Sequence, residues 1–285
     1  MPTLEEKVEQ LRNLLQGMGW GLVCFSGGVD SSYLLAESVR VLGENAVALT
    51  AVSPSLAPEE GADAQRLARQ MGARHILVET QELDDPRYAA NPVNRCYFCK
   101  TEVYGVAVEQ ARRLGIPYVL DGFNVDDRGD HRPGRQAARE WGVRSPLDEL
   151  GFTKAEIREA ARQMSLPVWD KPALACLSSR FPYGTQITPE RLAQVWQCER
   201  ALRELGFRVC RVRYYDAEAR IEVASEETPR LFLPKVRDEI VLRFCEAGFA
   251  SVTVDMQGYR TGSQNEAVRR SDKGSQDREG IVTLT

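Results

Sequence analysis

The chain has 285 residues, 43% hydrophobic and 27% charged, with a formal net charge of -4. That is enough for one large or two ordinary domains with proper cores. The charge excludes a bulk nucleic-acid binder, which would carry a basic excess, and no apolar run approaches the ~20 residues of a membrane span.

The opening "MPTLEEKVEQLRNLL" lacks the basic and apolar regions of a leader and reads as an amphipathic helix, with Thr3 and Glu6 as a capping box. A cytoplasmic protein is expected. "GWGLVCF" (Gly19–Phe25) is a short continuous apolar run, the mark of a strand buried on both faces. The turn "SGGVD" leads into the helix "SSYLLAESVRVL". "NAVALTAV" then reads as a strand, "APEEGADAQRLARQMG" as a helix and "ARHILVET" as a strand. "CKTEVYGVAVEQARRLG" is a helix, "IPYVLDG" a strand, and "FTKAEIREAARQM" a helix with Thr153 and Glu156 as capping box. Strands alternating with helices predict an α/β fold, a parallel sheet with helices on both faces.

The pattern changes near Ile187. A helix starts at Thr188 and Pro189 and stops at Gly206. The strands "RVCRVRYY" and "ARIEVA", a helix around Val236–Ala247 and the strand "ASVTVD" follow. This order predicts a smaller α+β domain. The expected division is 1–186, 187–265 and a polar, loose tail over 266–285.

"FSGGVDSS" (Phe25–Ser32) lies between the first strand and its helix. Glycines there let backbone N–H groups approach an anion, and the helix N-terminus adds its positive dipole end. The string is neither a Walker A loop nor a dinucleotide fingerprint. It resembles the signature of the PP-loop ATP pyrophosphatases, which split ATP between its α and β phosphates and use the AMP to activate a substrate oxygen. That resemblance implies that Ser26, Gly27, Gly28, Asp30 and Ser31 hold pyrophosphate, with Asp30 on Mg²⁺, since a carboxylate beside a triphosphate calls for a divalent cation. "DGFNVDDRGD" follows a strand at the carboxyl end, where open α/β sheets bind ligands. Asp121, Asn124, Asp126 and Asp127 would reach metal and phosphates there, with Arg128 or Arg132 balancing charge.

Seven cysteines are scattered along the chain. Cys24, Cys198, Cys210 and Cys245 are read as small buried hydrophobes. "CYFC" (Cys96, Cys99) has the spacing of a zinc or iron-sulfur half-site, a redox pair or simple packing. Cys176 sits in the loop "KPALACLSSRFPYG", flanked by Lys171 and Arg180, cations that would lower a thiol pKa or bind phosphate. Small neighbours such as Ala175 and Ser178 leave room for a substrate.

The strings "NRCYFCKTEVY", "DGFNVDDRGDHRPGRQAA", "VRSPLDELGFTKAEIR", "KPALACLSSRFPYG", "RVRYYDAEARIEV" and "GYRTGSQNEA" are together similar to the LarE family of ATP-dependent sulfur transferases, over almost the whole chain. The resemblance implies adenylation of a carboxylate of pyridinium-3,5-dicarboxylate mononucleotide, derived from nicotinic acid, and its conversion to a thiocarboxylate for the nickel-pincer nucleotide cofactor. Cys176 would attack the acyl adenylate and give up its sulfur. Alternatively Cys96, Cys99 and Cys176 would ligate a 4Fe-4S cluster with one iron free to carry sulfide. Arg211 and Arg213, on one face of a strand, would grip the substrate phosphate with Lys171 and Arg180, near Glu199 and Glu222, and Arg260 is a weaker candidate. The family implies a homo-oligomer, with no membrane or nucleic-acid partner. A tRNA thiolase, an ammonia-using PP-loop synthetase and a non-catalytic nucleotide-binding regulator are the alternatives.

Overall fold

The computed structural model describes residues 2–129, 133–172 and 175–260. The described residues form two compact units, the first drawn from 2–176 and 186–189, the second from 177–185 and 190–260.

In the first unit α1 (Leu4–Met18) leads to β1 (Gly21–Cys24), α2 (Val29–Leu42), β2 (Ala46–Val52), α3 (Pro58–Gln70) and β3 (Arg74–Glu79). A short α4 (Pro86–Ala89), the long α5 (Arg95–Leu114), β4 (Val119–Leu120), α6 (Gly134–Glu140), α7 (Pro146–Glu149) and α8 (Lys154–Gln163) complete it. The four strands are parallel in the order β3-β2-β1-β4. Alternate residues of β1 feed two cores. Val23 packs with Leu11, Leu15, Tyr33, Phe152 and Ile157 on one side, and Leu22 packs with Tyr104, Ala107, Val119 and Val143 on the other. Both faces are covered, as the continuous apolar strands required.

The expected strand "IPYVLDG" shrinks to Val119–Leu120. Pro117 offers no N–H, and Asp121 turns its backbone N–H to the Arg144 carbonyl at 2.9 Å. The helix expected from Cys99 begins four residues earlier, at Arg95, so both cysteines of the pair are helical. Thr3–Glu6 and Thr153–Glu156 form complete capping boxes.

The second unit holds α9 (Pro189–Glu204), the antiparallel pair β5 (Cys210–Tyr215) and β6 (Glu218–Val223), α10 (Pro234–Glu246), and β7 (Ser251–Val254), which is parallel to β6. Aromatic contacts hold its core, Phe181 tilted against Tyr214 at 5.0 Å and Tyr214 edge-to-face with Phe249 at 5.8 Å between centroids. Cys198 and Cys210 are buried and Cys24 is partly buried. Cys245, expected inside, is exposed on α10, because Ile240 and Phe244 are the residues that this helix turns inward. The tail expected over 266–285 lies outside the described residues.

Candidate functional site

The strand order reverses direction between β1 and β4, and two loops leave the carboxyl ends of these strands side by side, the crevice where open α/β sheets take ligands. The loop after β1 is "SGG". Gly27 has φ +71°, and a Cβ there would lie 3.3 Å from the Ala64 methyl of α3, so both conformation and space call for glycine. Ser31, in the first turn of α2, holds the loop from inside: its Oγ accepts the Ser26 N–H at 3.3 Å and donates to the Gly28 carbonyl at 3.2 Å. Ser26 and Ser31 hydroxyls lie 3.1 Å apart. Gly28 caps α2 without a side-chain hydrogen bond, leaving that dipole end to an external acceptor.

The loop after β4 presses onto the same turn. A Cβ at Gly122 would stand 2.8 Å from the Ser31 nitrogen, so only glycine passes there. Asp121 is buried and satisfied by the Tyr104 hydroxyl at 2.6 Å, the Ser145 hydroxyl at 2.7 Å and the Phe123 N–H at 3.2 Å. Asn124 donates to Asp30 at 3.3 Å, while Asp127 accepts the Asn124 N–H at 3.1 Å. Asp126 accepts the Lys154 N–H at 2.5 Å and so caps α8. Asp30 forms an ion pair with Lys154. Arg128 goes to Asp148, 2.5 Å away, and Arg132 lies outside the described residues.

Sequence reasoning missed Lys154. Its signal was an electrostatic misfit, since a lysine in the first turn of a helix opposes the dipole unless carboxylates offset it. Asp30 and Asp126 do so here. Lys171 approaches the loop itself, its Nζ 3.4 Å from the Gly27 carbonyl.

The cysteines of the first unit form a second feature. Cys96 and Cys99 lie on the opening turns of α5, and Cys176 is exposed. Cys96 is accessible, yet enough protein surrounds its sulfur that burial pushes the thiol pKa up, and Cys176 pushes it further. Cys99 is raised more strongly, by burial first, then by Cys176 and Glu82. The three sulfurs therefore lie within electrostatic reach of one another. Among the described residues no three His, Cys, Asp or Glu side chains gather tightly enough for a single metal ion.

In the second unit, each of two expected phosphate-binding arginines already holds a carboxylate. Arg180 is bidentate to the fully buried Glu199 at 2.7 and 3.0 Å, and Arg203 adds a bond at 2.9 Å. Arg213 is bidentate to Glu222, both bonds 2.8 Å. Arg211, also buried, donates to the Cys210 carbonyl at 2.7 Å and lies 5.1 Å over the Tyr259 ring. Burial would raise the Glu199 pKa, but Arg180, with Arg211 and Arg203, outweighs it and holds the carboxyl below its ordinary range. Burial, then Arg180, lowers Arg211. Arg260 is engaged by Asp255 at 3.6 Å.

No family model matches the chain. It is 48% identical over 267 residues to an uncharacterized protein of Synechocystis sp., covering 94% of this chain and 100% of that one. It is 35% identical over 272 residues to the pyridinium-3,5-bisthiocarboxylic acid mononucleotide synthase of Lactiplantibacillus plantarum, covering 95% and 98%. A tRNA-specific 2-thiouridylase of Thermus thermophilus is 29% identical over 194 residues, about half of each chain at 53% and 52%.

Proposed function

The chain belongs to the LarE family, that of the pyridinium-3,5-bisthiocarboxylic acid mononucleotide synthase, and on that premise we propose that it converts a carboxylate of pyridinium-3,5-dicarboxylate mononucleotide to a thiocarboxylate at the expense of ATP, for nickel-pincer nucleotide synthesis. The observation that carries this reading is the full-length match, joined to an anion cradle at the switch point of the sheet.

The substrate carboxylate attacks the α-phosphorus of ATP, pyrophosphate leaves, and a sulfur nucleophile displaces AMP from the acyl adenylate. Ser26, Gly27, Gly28 and Ser31 bind the pyrophosphate through N–H and hydroxyl donors. Asp30, with Asn124 and Asp126, would hold Mg²⁺, which would offset phosphate charge, and Lys154, freed from Asp30, would add its own charge to the phosphate. Lys171 adds positive charge beside Gly27. Asp121 and Asp127 keep their loop in place. The second unit is the substrate-binding domain, where Arg211, backed by Arg180 and Arg213, takes the substrate phosphate. The fixed Arg180–Glu199 and Arg213–Glu222 pairs hold that face rigid.

Cys96, Cys99 and Cys176 fit a 4Fe-4S cluster, because three thiols within electrostatic reach supply three ligands and a cluster takes each on a different iron. The cluster would supply the sulfur. Exposure of Cys176 favours a second reading in which its own thiolate attacks and surrenders its sulfur. We further propose a cytoplasmic homo-oligomer.

The test is anaerobic incubation of the reconstituted protein with MgATP and the dicarboxylate mononucleotide, followed by mass spectrometry. Thiocarboxylate formed with one pyrophosphate per sulfur is the expected result. Pyrophosphate release that depends on tRNA, or none with verified substrate, would overturn the assignment.

A further inference from the structure

A cavity of ≈ 160 Å³ opens between the 3-10 turn Glu82–Asp84 and α5, lined by Gln81, Glu82, Asp85, Arg87, Thr101 and Glu102 with the rings of Tyr97 and Phe98. It is too small for a nucleotide, whose sites run to roughly 300 Å³ and more. It is also much larger than one water needs, about 10–15 Å³ on the same kind of measure. None of the proposed reaction steps uses it.

Its charges are unbalanced. Asp85 and Arg87 neutralise each other at 2.8 Å, and Arg87 stacks 4.9 Å over Phe98. Glu82 is 3% exposed; its Oε1 accepts the Ser53 and Ser55 hydroxyls at 2.5 and 2.8 Å, while Oε2 is buried with no partner among the described residues. Glu102 accepts the Gln81 N–H at 3.4 Å, and no described cation pairs with either glutamate. A buried carboxylate oxygen without a donor is costly, and a ligand N–H would remove that cost. Arg87 already covers Phe98, and the two unpaired carboxylates beside the Tyr97 ring select a cation, by charge and by cation-π attraction. Among the described residues no three His, Cys, Asp or Glu side chains gather for a metal ion, which favours an organic cation.

Location narrows the class. Cys99 lies three residues before Glu102 on α5, the spacing of side chains that adjoin on a helix. Glu82 also acts electrostatically on the Cys99 thiol. We propose that this cavity binds the ammonium end of a small aminothiol, holding its sulfur beside the cysteine site. The sulfur half of the inference rests on the sulfur-transfer reading above, the ammonium half on the cavity alone.

The test is calorimetric titration of the full-length protein with cysteamine, neutral 2-mercaptoethanol or anionic 3-mercaptopropionate, under a phosphine reductant that prevents mixed disulfides. Cysteamine should bind with a Kd on the order of millimolar, and the other two should not bind. Glu82→Gln and Glu102→Gln should each weaken cysteamine by about tenfold, the effect of losing one charge-assisted hydrogen bond. If Glu82→Gln does not fold, Glu102→Gln carries the comparison. Absence of cysteamine binding, equal binding of 2-mercaptoethanol, or an affinity untouched by the glutamine variants would overturn the proposal. The titration contains neither ATP nor mononucleotide, so its failure is distinct from failure of thiocarboxylate formation.

Discussion

The first unit's glycine-serine loop and the second unit's arginine cluster prepare for anions in opposite ways. The loop offers short hydroxyls, a bare helix N-terminus and a partly exposed Asp30–Lys154 pair, with side chains 23% and 32% exposed. Its charges are held loosely enough to be exchanged when a ligand arrives. The cluster has its charges locked beforehand: Arg180 and Glu199 are 2% and 0% exposed and joined by two hydrogen bonds. A loose pair costs little to break and suits a site that must take up and release pyrophosphate. A buried pair fixes geometry, because removing either member strands a charge.

The largest effect should come from the locked side. Glu199→Ala strands Arg180 and should destabilise the protein by about 3–5 kcal/mol in urea unfolding; a loss under about 1 kcal/mol would erase the contrast. Because the native Glu199 pKa is depressed, its contribution is present above the unfolded carboxyl value of about 4.3. It is lost as pH falls through the native value, so Glu199→Gln should flatten the acid limb of the stability curve.

On the loose side, Asp30→Asn should leave stability within about 1 kcal/mol while slowing pyrophosphate release by roughly a hundredfold through lost metal binding. A large stability loss with little catalytic change would reverse the roles given to the two pairs. Gly122→Ala should cost about 1–3 kcal/mol by overpacking against the Ser31 backbone, measured by thermal melting, and should weaken nucleotide protection.

The smallest effect concerns thiols. Burial pushes Cys198 and Cys210 to about 12 and about 11, so neither should alkylate with iodoacetamide at neutral pH while Cys176 and Cys245 do. Labelling of Cys210 in the folded protein would show that the second unit is looser than its packing implies.

The strand-loop-helix turn was legible because Phe25–Ser32 combines a local apolar pattern with glycines, and local patterns survive folding. The strand order that sets the two loops side by side was not legible, since it depends on pairing between β1 and β4, nearly a hundred residues apart. Lys154 pairing with Asp30 is likewise long-range, 124 residues apart, and Arg180 joins Glu199 from another element, whereas Arg203 meets Glu199 one helical turn away and Arg213 meets Glu222 across the β5–β6 hairpin. The alternation of β5 placed Arg211 and Arg213 on one face but could not show that Glu222 already holds Arg213. Cys245 was misread because residue type was weighed without helix phase.

Cys96, Cys99 and Cys176 are proposed to act together as the site that delivers sulfur. The most direct measurement is the mass of the Cys176 peptide after turnover by reconstituted protein supplied with sulfide, set against the thiocarboxylate formed per chain. Several thiocarboxylates per chain with Cys176 unchanged are the expected result. Product capped at one thiocarboxylate per chain, with H₂S lost from Cys176, would contradict it.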